Sequence, residues 1–281
     1  MGIILMLLSS ASFATMSAMI KGIGPGIPLT QLVFLRCILA VPLLLAWILL
    51  QKKPLFVTAR KAILLRTLLG MTAMHGFFYA LTHMPLADCT FIGRTNPLLL
   101  ALFAPLILGE TTPRAAWFAI FTGVIGVALI MKPAMAWPLA AWVALGASAS
   151  SAGAHLMVRR LNRTDQPLII VFNFTLLTGL LTAAPALPGF VSMSSRQWLL
   201  IAGVALFASL GQMFMTSAYG KDRAPAVAAA SYSSIILSVI YGYLFWNEIP
   251  QPLAWLGGGL IIIGGLLLLK SRYNISEPAS G

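Results

Sequence analysis

The stretch ETTPRAAWFAIFTGVIGVALIMK runs from Glu110 to Lys132, and EIPQPLAWLGGGLIIIGGLLLLK runs from Glu248 to Lys270. Laid over each other at a shift of 138 residues, they pair Glu110 with Glu248, Trp117 with Trp255, Gly126 with Gly264 and Lys132 with Lys270. Each apolar interior is long enough for a membrane helix, since a hydrocarbon core about 30 Å thick takes roughly 20 helical residues. The same shift pairs Phe34 with Phe172 and Ala80 with Ala218, so the likeness reaches back through both halves.

Working outward, ten apolar runs of that length appear, at 1–20, 28–50, 62–82, 85–107, 113–131, 136–158, 167–187, 197–218, 224–245 and 252–270. The breaks carry turn chemistry, as in Lys-Gly-Ile-Gly-Pro-Gly from Lys21, Gln-Lys-Lys-Pro from Gln51 and Asn-Glu-Ile-Pro from Asn247. The first run lacks a positive segment ahead of it, and Lys21 follows it, the wrong order for a secretory signal. It is therefore expected to be a retained helix. Each copy holds five runs, an odd number, so the second copy must cross the membrane in the opposite sense. The expected fold is an all-α polytopic membrane protein of ten transmembrane helices in two inverted five-helix repeats. The first repeat is read as 1–132, the second as 136–271, and 272–281 as a short polar tail.

Composition agrees. Of 281 residues, 59% are hydrophobic and 9% charged, against about 25% charged in an ordinary soluble domain. A cytosolic enzyme could not cover its surface so sparsely. The net charge of +12 comes without a basic stripe interleaved with aromatics, so no nucleic-acid partner is expected. Instead the cations mark topology. Twelve fall on the side that holds both termini, among them Lys52, Lys53, Arg159, Arg160 and Lys221, and three (Lys21, Lys132, Arg196) on the other. That bias places both termini in the cytoplasm and the chain in the inner (plasma) membrane.

By this point the residues resemble the drug/metabolite transporter superfamily, in its EamA-type branch. The first copy has Phe34-Leu35-Arg36 in helix 2, Leu108-Gly109-Glu110 at the end of helix 4, Thr112-Pro113, and helix 5 with Gly123 and Gly126. The second ends helix 9 with Trp246-Asn247-Glu248 and enters a glycine-rich helix 10. It departs at Phe174, which stands where Arg36 stands in the first. Within the branch the chain is similar to bacterial exporters of amino acids, aromatic ones included. The resemblance implies a ten-helix transporter of small metabolites.

Inverted repeats are typical of alternating-access transporters, whose substrate site lies near the midplane between the halves. Runs 3, 4, 8 and 9, with 1 and 6, are expected to enclose a cavity. His75, Phe78 and Tyr79 are its candidates on run 3, with Asn96 on run 4, Ser151 and His155 on run 6, Gln212 and Met215 on run 8, and Tyr232 on run 9. Serines in such helices commonly serve packing, whereas histidine and glutamine gain most beside a wet cavity. Arg36, Asp88 and Arg94 lie deep enough to require partners. Asp88 is expected to pair with Arg36 or Arg94, and Arg94 could instead meet a substrate carboxylate. Arg66, one turn into its helix, is expected to snorkel to the surface.

Glu110 and Glu248 are symmetry mates, yet each precedes a helix opening at Pro113 or Pro252, where a carboxylate faces a positive helix terminus. They are read as structural or gating residues. Cys37 and Cys89 suggest neither a disulfide nor a metal site, and His75, His83 and His155 fall on separate segments. With no Walker A, HExxH or nucleophile arrangement, neither an enzyme nor an ATP-driven pump is expected, and no cofactor or metal. The chain is read as a secondary transporter that exports small organic metabolites, amino acids including apolar and aromatic ones, its partners being the lipid bilayer and a small-molecule substrate. A monomer and a homodimer both fit. The alternative is a carrier of phosphorylated sugars or nucleotide sugars on the same plan, which should require two or more cavity cations.

Overall fold

The computed structural model of the chain describes residues 1–96, 98–99, 102, 114–131, 139–221 and 230–275. Every regular element among them is a helix. In chain order these are α1 (Gly2–Ile23), α2 (Leu29–Leu50), α3 (Arg60–His83), α4 (Leu86–Gly93), α5 (Arg114–Met131), α6 (Leu139–Leu161), α7 (Pro167–Ala186), α8 (Ser195–Lys221), α9 (Ser233–Trp246) and α10 (Pro252–Ile275). Four described segments are long and apolar enough to cross a membrane on length and composition: Gly2–Ile23, Leu29–Leu50, Pro167–Ala186 and Ser195–Ala218. Exposed aliphatic and aromatic side chains such as Leu43, Leu180, Leu199 and Phe245 cover the outside. In lipid that surface needs no partner.

The helix ends follow local chemistry. Pro167 opens α7, where its missing N–H is one the helix would leave unpaired anyway. Gly24 closes α1 at a φ of 80°, a backbone that glycine adopts freely. Asn247 ends α9 in the left-handed region, φ 52° and ψ 34°. Asparagine tolerates that conformation, and the turn it makes brings the Glu248 amide onto the Gly242 carbonyl at 3.0 Å.

Two expected runs are interrupted by a turn among the described residues. Run 85–107 begins as α4 but turns at Arg94 and Thr95 before helix resumes at Asn96. Run 224–245 is described from Ala230 and turns at Tyr232 before α9. The 138-residue shift pairs Arg94 with Tyr232. Hydropathy registers apolar length, not backbone continuity, so these turns left no trace in it.

Packing joins the two halves. α1 lies along α8 and α3 along α6, while α2 meets α7, α5 meets α10 and α4 meets α9. Under the shift the first two pairs exchange, and the other three map onto themselves. α5 and α10 cross where Gly126 faces Gly257: a Cβ on Gly126 would stand 2.5 Å from the Gly257 carbonyl oxygen. The connecting segments are tied by buried amides. Gln31 donates to the Val191 carbonyl (2.8 Å) and accepts from its amide (2.9 Å), and Asn173 donates to the Leu55 carbonyl at 2.7 Å.

Candidate functional site

The chain turns at Arg94 and Thr95, directly after Gly93, the last residue of α4. A carbonyl left unpaired inside a membrane protein must find another donor. Ser148 of α6 supplies it, its Oγ donating to the Gly93 oxygen at 3.3 Å. At the other break Ser10 of α1 donates to the Ser231 oxygen, also at 3.3 Å. The 138-residue shift carries Ser10 onto Ser148 and Gly93 onto Ser231. One hydrogen bond is thus the repeat image of the other, donor and acceptor alike, and each runs from one half of the chain to the other.

Between these breaks lies a cavity of about 270 Å³. Six of the expected residues line it: Phe78, Asn96, Ser151, His155, Gln212 and Met215. α1 adds Ser9, Ser10, Phe13 and Ser17. Asn96 and His155 form a polar part of the wall, and Thr95 and Ser148 are buried. His155 Nδ1 lies 3.4 Å from Asn96 Oδ1, and the adjacent Thr95 hydroxyl lies 2.9 Å from that of Ser148. On the opposite wall Ser9 donates to the Gly211 carbonyl at 2.8 Å, fixing α1 against α8. Aromatic rings and thioethers (Phe77, Phe78, Phe174, Met74, Met215) make up much of the rest. The lining can therefore bind an apolar body and meet polar ends at several points.

Three arginines reach the cavity: Arg36, Arg66 and Arg94. Arg94 donates through Nε to the Ser234 hydroxyl at 3.0 Å and through a terminal nitrogen to the same oxygen. Arg36 donates to the Met74 sulfur. Arg66 corrects the sequence reading. It does not snorkel outward but is buried, its guanidinium 3.9 Å over the Phe174 ring and within 3.4 Å of Gln212 Oε1. Gly70 makes the space, since a Cβ there would collide with Arg66 and lie 2.8 Å from the Phe174 ring. The sequence spacing places Arg66 with its cavity neighbours on α3 without saying that this face turns inward. Arg66, Gly70, Met74 and Phe78 recur every four residues and share one face of α3.

The remaining candidates lie elsewhere. His75 donates from Nδ1 to the Met71 carbonyl of its own helix (2.9 Å), and Tyr79 stacks on His83 with ring centroids 4.1 Å apart. Both occupy the neighbouring stripe of α3, so the structure does not bring them to the cavity. Tyr232 turns toward α10, where a Cβ on Gly265 would strike its hydroxyl. Asp88 sits in the first turn of α4, a position that favours a carboxylate. Glu110 lies outside the described residues.

Glu248 acts at a helix terminus, but of a different helix from the one expected. Its Oε2 accepts from the Leu86 amide, at the start of α4, at 3.0 Å, and its Oε1 lies 2.7 Å from Lys21 Nζ. Lys21 also donates to the Met84 carbonyl at 2.8 Å and rests 5.6 Å from the centre of the Trp246 ring. The left-handed turn at Asn247 sends the carboxylate back across the bundle, away from α10. Among the described residues no group of three His, Cys, Asp or Glu side chains could hold a metal ion.

Comparison with known proteins agrees with this architecture. The sequence pattern of the EamA-like transporter family matches residues 1–132 and again residues 138–270. Pseudopaline exporter CntI of Pseudomonas aeruginosa is 31% identical over 277 residues, covering 96% of each chain. A riboflavin transporter of Brucella anthropi is 26% identical, covering 92% of this chain and 94% of its own. A solved crystal structure superimposes with a TM-score of 0.64 at 19% identity, covering 97% of this chain and 96% of the other, a likeness of fold alone. With both halves matched by one pattern and full-length relatives among membrane transporters, the chain belongs to the EamA-like transporter family, as a transporter and not an enzyme.

Proposed function

We propose that this protein is a secondary transporter that exports small amino-acid-like metabolites by alternating access. The two five-helix repeats, 1–132 and 136–271, with 272–281 as a tail, cross the inner membrane in opposite senses with both termini cytoplasmic. The observation that carries the reading is the matched pair of bonds, Ser10 to the Ser231 carbonyl and Ser148 to the Gly93 carbonyl. Such a pair is what a two-fold relation between the repeats produces. It lies at the breaks of two packed helices beside the cavity, where discontinuous helices hold substrate in other transporters. The exchange of helix pairs supports the same reading.

Phe78, Phe174 and Met215 would cover an apolar or aromatic side chain, while Asn96, Ser151, His155 and Gln212 would meet polar ends. The relatives named as exporter and transporter of small organic molecules support the general class. A carrier of phosphorylated sugars or nucleotide sugars remains the second reading, and three cavity arginines supply the cations it asks for. Proteoliposome counterflow with a panel of amino acids and a sugar phosphate, with and without a pH gradient, tests both. Amino-acid exchange that ignores the gradient is the expected result. Exchange confined to the phosphate ester would move the assignment to the second reading, and exchange of no probe would reject both. An impermeant thiol reagent tests topology: a cysteine near 247–251 should label from outside, and one at Lys221 should not.

A further inference from the structure

Arg36 and Arg66 are buried, and guanidinium groups stay protonated in proteins. The Nε atom of each is buried with no hydrogen-bond partner among the described residues. Their contacts are a thioether for Arg36 and an aromatic face and a distant amide oxygen for Arg66. No Asp or Glu is among the described residues that line the cavity. A buried charge without a counterion is strongly unfavourable. Two of them, on neighbouring helices facing one cavity, are therefore unlike residues placed there for stability. Arg94 differs, being engaged by Ser234.

We propose that Arg36 and Arg66 each take one carboxylate of the substrate, which is then a dicarboxylic or tricarboxylic metabolite with a short apolar body. The inference rests on the reading of this cavity as the transport site. An arginine fork matches a carboxylate with two parallel N–H donors, and both arginines form part of the cavity lining. Two cations with no acid in the described lining ask for two negative charges, and the two guanidinium groups are held by different neighbours, Met74 for one and Phe174 with Gln212 for the other. Phe174 orders Arg66 by stacking on its guanidinium, and both residues line the cavity. In the repeat Phe174 is the counterpart of Arg36, so the anion-binding wall belongs to one side of an otherwise symmetric site.

The test uses the purified full chain in detergent, with thermal unfolding followed in leucine, phenylalanine, glutamate, 2-oxoglutarate, citrate and glucose 6-phosphate at matched ionic strength. The di- and tricarboxylates, glutamate among them, should raise the midpoint at about 10- to 100-fold lower concentration than the monocarboxylate amino acids. Arg36→Gln and Arg66→Gln should each weaken that response by about 10- to 100-fold in ligand concentration. Without ligand both variants should melt at or above the wild-type temperature, because an uncompensated buried charge has been removed. Arg66→Lys, which keeps charge and loses the fork, should fall between. Equal responses to leucine and glutamate would overturn the clamp, as would stabilisation by glucose 6-phosphate alone. A glutamine variant that melts lower yet binds dicarboxylates normally would also overturn it. Dicarboxylate binding that needs both arginines, with no counterflow of any probe in proteoliposomes, would uphold the clamp while rejecting the transport reading.

Discussion

Replacing Glu248 should unlatch one end of the bundle. Its carboxylate joins Lys21 at the end of α1, the Leu86 amide at the start of α4 and, through Lys21, the Met84 carbonyl that closes α3. Three helix ends of the first half are thus held by a residue of the second. The side chains of Lys21 and Glu248 are 11% and 23% exposed, between an open surface pair and a sealed one. Exposed pairs contribute about 0.2–1 kcal/mol, and breaking a sealed pair costs about 3–5 kcal/mol. Loss of a helix cap adds about 1 kcal/mol. Glu248→Ala should therefore cost about 2–3 kcal/mol, and Glu248→Gln, which still accepts from Leu86, about half of that. Because the latch spans the halves, the cost falls on the state in which this end is closed. At about 1.4 kcal/mol per factor of ten, the alanine variant shifts the balance toward opening by about 30- to 100-fold. Cys89 lines the cavity and becomes the sole thiol once Cys37 is Ser. An impermeant maleimide added on the side of the 247–251 loop should label it at least tenfold faster in Glu248→Ala, with Glu248→Gln between. Identical labelling rates in all three proteins would refute the latch.

Three further outcomes can be checked. Gly70→Ala should push Arg66 off Phe174, an overpacking cost of about 1–3 kcal/mol, and transport should drop while the chain still inserts, as measured by counterflow and gel filtration. Gln212→Ala should reduce transport, since the residue lines the cavity beside Arg66, whereas His75→Ala should transport normally because His75 is tied to its own helix. Burial raises the Asp165 carboxyl, but hydrogen bonds from Thr164 and from the backbone at Thr58 and Ala59 outweigh it and hold the group below its ordinary value. Asp165 therefore adds stability above the usual aspartate value of about 3.9 and loses it as pH falls through the lower, folded value. The melting difference between wild type and Asp165→Asn should be present at neutral pH and vanish in strong acid.

The sequence alone determined the class of molecule and its repeat. Sparse charge, apolar runs and the 138-residue shift follow from the solvent the chain must satisfy and from simple addition along it, so they are written in one dimension. Six of the nine expected binding residues reached the cavity for the same reason, since polar groups in lipid have few places to be. What the tertiary structure decided was rotation and partnership. Lipid is as apolar as the protein core, so a membrane helix carries little amphipathic signal to say which stripe faces inward. The stripe of Arg66 and Phe78 and the stripe of His75 and Tyr79 read alike along α3, and only packing against α6 chose between them. Which helix terminus Glu248 meets, and that Ser10 and Ser148 close the breaks at Ser231 and Gly93, depends on residues more than fifty positions apart. Such contacts leave no local pattern, because they are set by how the helices pack in three dimensions.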